Sequence, residues 1–185
     1  MGQVTENPEN ELIEGCRAGR EAARRELYTR YAKQMLAVCY RYTGNSDAAH
    51  DVMHDGFMKV FTHFNFRGDC ALSTWLTRVM STTAIDYLRQ QRRMAEWMVR
   101  DDTLPDLPDE DEAAEAAERI PNEVLMKMVA ELPTGCRTVL NLYVFEGKSH
   151  KEIARMLGIH EHSSTSQLHR AKIILMKKIK QYLVS

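Results

Sequence analysis

Ser149-His150-Lys151-Glu152-Ile153-Ala154-Arg155-Met156-Leu157-Gly158 and, two residues on, Glu161-His162-Ser163-Ser164-Thr165-Ser166-Gln167-Leu168-His169-Arg170-Ala171-Lys172 decide how this chain folds. Ser149 and Glu152 form S-x-x-E, a capping box in which hydroxyl and carboxylate each satisfy a free backbone N–H at a helix start. Gly158 follows Leu157 where a helix can stop, because glycine enters the left-handed conformation without steric cost. A second helix runs from about Glu161, with Leu168, Ala171, Leu175 and Ile179 at the spacing of one inward face. Helix, short turn, helix is the helix-turn-helix arrangement, and Ala154 is small where the two helices must approach. Purely structural helical hairpins share parts of this spacing. The outward face of the second helix offers Ser163, Thr165, Ser166, Gln167, His169 and Arg170, with Lys172 behind. Hydroxyls, an amide and basic groups can bond base edges and phosphates in a major groove. Lys177, Lys178 and Lys180 extend the positive potential.

Upstream, Pro121 and Pro133 each stand where a first helical position tolerates proline. Earlier still, Leu27, Tyr31, Met35, Val38 and Tyr42 recur at three and four residues, one face of a helix that Gly44-Asn45 breaks. Ser46 or Asp47 caps the next helix, which carries Met53, Phe57, Val60, Phe61 and Phe64 on one side. Phe66-Arg67-Gly68-Asp69 reads as a turn, and a long helix follows through Trp75, Val79, Ala84 and Leu88. A short helix around Glu11–Ala18 precedes them. No stretch alternates with period two, so the chain is expected to be all-α, with an N-terminal helical bundle and a C-terminal helix-turn-helix domain.

At ~100° per residue, Trp75, Arg78, Thr82, Arg89, Arg92 and Arg93 fall within one sector of the long helix, with Asp86 among them. Arginines beside an exposed aromatic suit single-stranded DNA, since the cations track phosphates while a ring stacks on an unpaired base. The same pattern also fits a core tryptophan beside a solvated basic face, and the two readings stay open on pattern alone.

A chain of 185 residues makes one domain or two small ones, and the charge distribution favours two. The total of −1 conceals a net of +2 over residues 1–100, −9 over 101–131 and +6 over 132–185. Asp101–Glu118 holds nine carboxylates and no basic residue, with Pro105 and Pro108 interrupting any helix. Like charges at that density repel, and few large apolar side chains are present to drive collapse. Residues 101–119 are therefore expected to be an extended linker between domains at 1–100 and 120–185. A solubilising tether and a nucleic-acid mimic lying in a partner's basic channel both fit this composition.

Other classes recede. No charge-free run exceeds eight residues, far short of the ~20 a bilayer requires. Met1–Asn10 lacks the basic-then-apolar order of a secretory signal, so a cytoplasmic protein without stable membrane insertion is expected. Cys16, Cys39, Cys70 and Cys136 form no C-x-x-C pair and read as free, mostly buried thiols. His50-Asp51-Val52-Met53-His54 imitates H-E-x-x-H, but Asp is one methylene too short and no third ligand is near. His160-Glu161-His162 sits at the entry to the second helix of the helix-turn-helix. Neither a metal, a cofactor nor a catalytic residue is expected.

Three segments in order resemble bacterial sigma factors of the extracytoplasmic-function (ECF) group. Asp47 to Phe61 (DAAHDVMHDGFMKVF) looks like the acidic helix that docks on RNA polymerase core. Phe66-Arg67-Gly68-Asp69 with Trp75-Leu76 and Arg78 looks like the element that melts the −10 sequence and holds its flipped base. Leu132-Pro133 with Ser149 to Lys172 resembles the −35-binding helix-turn-helix. The resemblance covers about Glu21–Arg93 and Ile120–Leu183. It implies a non-enzymatic subunit that binds RNA polymerase core and directs promoter-specific initiation by recognising −10 and −35 elements and assisting strand opening.

By that resemblance Asp51, His54, Asp55, Phe57, Met58 and Phe61 meet the polymerase. Arg67, Gly68, Asp69, Trp75, Arg78, Thr82, Arg89, Arg92 and Arg93 handle the single-stranded −10 element. Ser163, Thr165, Ser166, Gln167, His169, Arg170 and Lys172 read or clamp the −35 duplex. The linker would enter the polymerase cleft and RNA exit channel, an anti-sigma factor would be a further partner, and polymerase-bound molecules would associate with the nucleoid. Free protein is expected to bind duplex weakly until core spaces the two domains, an avidity effect.

The chain departs from the family pattern at several positions. His50 and His54 replace Glu and Gln in the docking helix, Thr82 replaces an Asn, and Ser163-Ser164-Thr165 replaces T-V-[KR]. Ser164 thereby puts a hydroxyl where an aliphatic side chain usually packs. A stand-alone helix-turn-helix regulator is the alternative, and it predicts symmetric half-sites and tight binding without polymerase. A hydrolase using His50 and His54 predicts stoichiometric zinc.

Overall fold

The computed structural model describes residues 8–91 and 118–184. Arg92, Arg93 and the 101–117 part of the acidic segment lie outside the described residues. Among the described residues every regular element is helical, and the chain divides into two compact units.

The first unit comprises Met1–Tyr40 and Ser46–Ala84. It is built from α1 (Pro8–Arg17), α2 (Glu21–Thr43), α3 (Ser46–Thr62) and α4 (Leu72–Gln90), the ends of α2 and α4 belonging to the second unit. The apolar periodicity of each helix becomes its buried face. Leu27, Met35 and Val38 of α2, Val52, Met53, Phe57 and Val60 of α3, and Leu72, Leu76 and Met80 of α4 are all buried. Fully burying one such side chain contributes about 1.5–3 kcal/mol. Tyr31, by contrast, lies at the edge of the core, and its hydroxyl donates to Glu9 of α1 at 3.1 Å. The α3–α4 connection turns at Gly68, whose φ of +82° is a left-handed conformation that a Cβ would strain.

The second unit comprises Arg41–Asn45 and Ile85–Ser185. Its helices are α5 (Asn122–Ala130), α6 (Thr134–Leu140), α7 (His150–Leu157) and α8 (Glu161–Val184). A π-helical turn at Asn141–Phe145 continues α6 directly. Pro121 and Pro133 are N-caps in extended backbone rather than first helical residues, so α5 and α6 each start one residue later than expected. Leu132, Val139, Leu142, Ile153, Leu157, Leu168 and Ala171 form the centre of the unit. Ile120, Met128 and Ile179 form a cluster of their own, with Val124, Leu125 and Leu175 partly buried against it. Arg137 is also buried, its guanidinium donating to the carbonyls of Ala130 at 2.6 Å and Leu132 at 2.9 Å.

The capping box at α7 forms as its sequence requires. Ser149 N–H and Oγ–H donate to Glu152 Oε2 at 2.9 and 2.8 Å, and Ser149 Oγ accepts from the Glu152 N–H at 3.3 Å. Gly158 closes α7 at φ +68° and ψ +33°. The Ser149 N–H, and then its hydroxyl, hold the Glu152 carboxyl below the ordinary carboxylate range. A depressed carboxyl stabilises the fold above its ordinary pKa, and that contribution is lost as pH falls through the folded-state value. Carbon-detected titration of Glu152 is therefore expected to show a midpoint below that of an ordinary glutamate. Ser149→Ala should raise it only part of the way, because the backbone N–H remains.

Candidate polymerase and promoter interfaces

On α3 the core residues fill one side and leave a continuous opposite stripe. Ala49, Val52, Met53, Gly56, Phe57 and Val60 are buried, while His50, Asp51, His54, Asp55 and Met58 are exposed. Met58 is 51% exposed, unusual for a large apolar side chain beside two carboxylates. Phe57 does not join this stripe. It is 2% exposed and packs its ring 4.9 Å from Tyr28 and 5.8 Å from Phe61, centroid to centroid. At ~100° per residue it lies on the Met53–Val60 side of the helix, which corrects its assignment as a surface contact. Phe61 is half-buried, with the Arg24 guanidinium 5.9 Å from its ring and donating to its carbonyl at 2.8 Å. Tyr28, 41% exposed at the end of this aromatic row, was missed in the sequence because its contacts come from another helix.

The loop after α3 exposes Arg67, Gly68 and Asp69. Arg17 of α1 donates to the Phe66 carbonyl at 3.1 Å and so helps fix the loop backbone. A cavity of about 340 Å³ opens there, lined by Asn10, Ile13, Arg17, Phe66, Arg67 and Cys70 among others. Trp75 is neither a core residue nor a free surface ring. It is half-buried, edge-on to Phe64 at 5.3 Å and tilted on Phe66 at 5.6 Å. Arg78 and Thr82 are exposed on the same sector of α4, the Thr82 hydroxyl donating to the Arg78 carbonyl at 2.8 Å. Arg89 is exposed and pairs with Asp86 at 3.4 Å, an exposed ion pair of the kind worth at most about 1 kcal/mol.

The first turns of α8 leave Thr165 exposed and Ser163, Ser166, His169, Arg170 and Lys172 partly exposed. Gln167 is the exception. It is 7% exposed, accepts the Cys136 thiol at 3.0 Å and lies over Gly135. Its amide is turned away from the face expected to meet DNA, which corrects that assignment. Gln167 sits about 65° from the centre of the Ser164–Leu168–Ala171 stripe at ~100° per residue, and α6 widens the buried side enough to cover it. Gln167→Ala is expected to lower unfolding free energy by about 1 kcal/mol. Arg170→Ala should weaken duplex binding and flatten its salt dependence. Chemical denaturation and footprinting at two salt concentrations separate the two effects.

All four cysteines are free thiols, and Cys16, Cys39 and Cys136 are buried. Burial pushes Cys39 up to about 12 and Cys136 up to about 11, and Cys70 alone is partly accessible. Among the described residues no group of three or more His, Cys, Asp or Glu is placed to hold a metal, and no helix is long and apolar enough to cross a membrane.

Comparison with known proteins matches the chain to two family models in order, Sigma-70 region 2 over residues 27–94 and Sigma-70 region 4 over residues 122–175. The RNA polymerase sigma-H factor of Pseudomonas aeruginosa is 28% identical, the alignment covering 97% of this chain and 98% of that protein. The ECF RNA polymerase sigma-E factor of Haemophilus influenzae is 27% identical, over 91% and 93% of the two chains. Among solved structures, the sigma factor RpoE of Bartonella quintana, crystallised with the anti-sigma factor NepR, shares the fold. Its TM-score is 0.50 at 18% identity, covering 84% of this chain and 96% of that one.

A region 2 bundle followed by a region 4 helix-turn-helix defines a promoter-specificity subunit of RNA polymerase. Such a subunit performs no catalysis; it binds polymerase and promoter DNA and directs where transcription starts. The chain belongs to the ECF group of the sigma-70 family. Acting on transcription places it in the cytoplasm.

Proposed function

We propose that residues 1–100 bind polymerase core and melt the −10 element, that 120–185 bind the −35 element, and that 101–119 connect them as an acidic linker. The observation that carries the polymerase assignment is the α3 stripe, where exposed Met58 lies among Asp51, His54 and Asp55. An apolar anchor ringed by charge is the composition of a docking surface. Phe61 flanks it, and Phe57 supports it from beneath. For the −10 strand, Arg67, Gly68, Asp69, Trp75, Arg78, Thr82 and Arg89 supply exposed cations and a braced ring, with Arg92 and Arg93 continuing the stripe in sequence. The cavity beside Arg67 offers room for an unstacked base. For the −35 duplex, Ser163, Thr165, Ser166, His169, Arg170 and Lys172 are the reading and clamping set.

Bound to polymerase, the protein is expected at the nucleoid. An anti-sigma factor that covers the α3 stripe or α8 is the regulator this reading suggests, motivated by the Bartonella complex. Run-off transcription from fragmented genomic DNA, with purified polymerase core and with or without this chain, tests the assignment. New transcripts sharing two upstream elements are expected. Asp51→Lys with Asp55→Lys should abolish all of them by preventing docking. Wild-type transcript levels from that double variant would overturn the α3 assignment.

A further inference from the structure

The α8 first turn is attached to α7 by a contact whose chemistry differs from the rest of the helix-turn-helix core. Ser164 is completely buried. Its hydroxyl lies 2.9 Å from Nδ1 of His150, the first residue of α7. The His150 ring is stacked on Tyr143 at 4.8 Å with 20° between planes. Tyr143 belongs to the π-helical turn at Asn141–Phe145, and turns of this kind are frequent at functional sites. The backbone of His150 is held by the capping box on either side, through Ser149 and Glu152. Imidazole, hydroxyl and the two helix N-termini thus form one braced unit.

Ile153 and Leu157 of α7 and Leu168 of α8 are buried apolar side chains, and apolar burial has no preferred direction. Apolar packing alone would let α8 rotate slightly against α7; the Cys136–Gln167 bond holds α8 to α6 on another side, and the His150–Ser164 bond is the directional contact to α7. A side-chain tip stands roughly 5–6 Å from a helix axis, so a rotation of about 20° moves it by about 2 Å. Hydrogen bonds to base edges span only about 0.5 Å in length and weaken steeply off-axis, so that rotation would break them. The bond between His150 and Ser164 has the same narrow tolerance. Ser163 and Thr165, the immediate neighbours of Ser164 in sequence, flank it about 100° to either side, Ser163 partly exposed and Thr165 exposed.

We propose that the His150–Ser164 hydrogen bond, braced by Tyr143, is a positioning element that sets the rotation of α8 on the −35 duplex and thereby determines which bases are preferred. His150 and Ser164 touch no base in this role; they act through Ser163 and Thr165. The inference rests on the assignment of α8 to the −35 element and adds residues outside the reading set.

The test uses the full chain on polymerase core, transcribing a template pool randomised over the region upstream of a common transcript. Wild-type protein should enrich two upstream elements. His150→Leu and Ser164→Ala should each lower the enrichment of the best −35 sequence over its single-base variants by about 5-fold or more. Enrichment at the −10 element, which belongs to other residues, should not change. His150→Asn keeps a hydrogen-bonding atom near the position of Nδ1 and is expected to retain the wild-type preference within about 2-fold, a smaller change than one lost hydrogen bond.

Thermal melts of the free variants run in parallel. An unchanged −35 preference in His150→Leu and Ser164→Ala, whatever their melting temperatures, would overturn the proposal and leave the pair a packing contact. Should His150→Leu fail to fold, Ser164→Ala removes one oxygen only and carries the same test. Wild-type protein enriching a −10 element but no −35 element would instead overturn the −35 assignment of α8, and the positioning role with it.

Discussion

Phe57→Ala is expected to destabilise the free chain by about 3–5 kcal/mol, the cost of emptying a buried aromatic site. The ring is 2% exposed and contacts both Tyr28 and Phe61, so its loss opens a cavity between α2 and α3 that the neighbours fill only in part. Denaturant unfolding followed by circular dichroism measures the effect. Asp51→Ala and Met58→Ala, on the exposed side of the same helix, should stay within about 0.5 kcal/mol of wild type while weakening the complex with polymerase core. Near-wild-type stability for Phe57→Ala would show that the aromatic row is dispensable for the fold and return Phe57 to the docking surface.

The second large effect is expected at Trp75. Base–aromatic stacking is worth about 1–3 kcal/mol per base, so Trp75→Ala should reduce open-complex formation by about 5- to 150-fold. The same change removes the braces to Phe64 and Phe66 and loosens the loop that carries Arg67. Trp75→Phe preserves a ring and should retain an intermediate level of opening. Permanganate reactivity of unpaired thymines reads the melted strand directly, and footprinting over the −35 region supplies the control. Opening by Trp75→Ala at the wild-type rate would assign the ring to packing alone and leave strand capture to the arginines.

The helices themselves were legible because local signals and tertiary burial agree. The three- and four-residue spacing from Leu27 to Tyr42 became the buried side of α2, and the S-x-x-E at Ser149 became a capping box with both reciprocal bonds formed. Gly158 stops α7 in the left-handed conformation that its position demanded. The exposed members of the candidate site were legible for the same reason, since what is left off a buried stripe faces solvent. Asp51, Asp55, Met58, Arg78 and Thr165 all follow that rule.

Residues at the edge of a stripe did not follow it. Gln167 lies on a boundary that a single helix leaves undecided, and α6 covers it through Gly135 and Cys136. Phe57 stands on the apolar side of α3 by its spacing; only the family resemblance assigned it to the docking surface, and Tyr28 of α2 packs against it. Trp75 stood between two readings and is half-buried because Phe64 and Phe66 converge on it from the preceding loop.

Periodicity, caps and charge blocks are properties of neighbours in the chain, so the amino-acid sequence alone determined the all-helical character, the helix-turn-helix and the order of segments that marks a sigma factor. Partners far apart in the chain are chosen by packing. Only the tertiary structure therefore decided that Gln167 turns inward to Cys136, that Arg17 braces the loop at Phe66, and that the unusual Ser164 meets His150. A hydroxyl buried without a partner costs about 1–3 kcal/mol, and although His160 and His162 stand nearer in the sequence, the imidazole that meets Ser164 is that of His150 on the preceding helix.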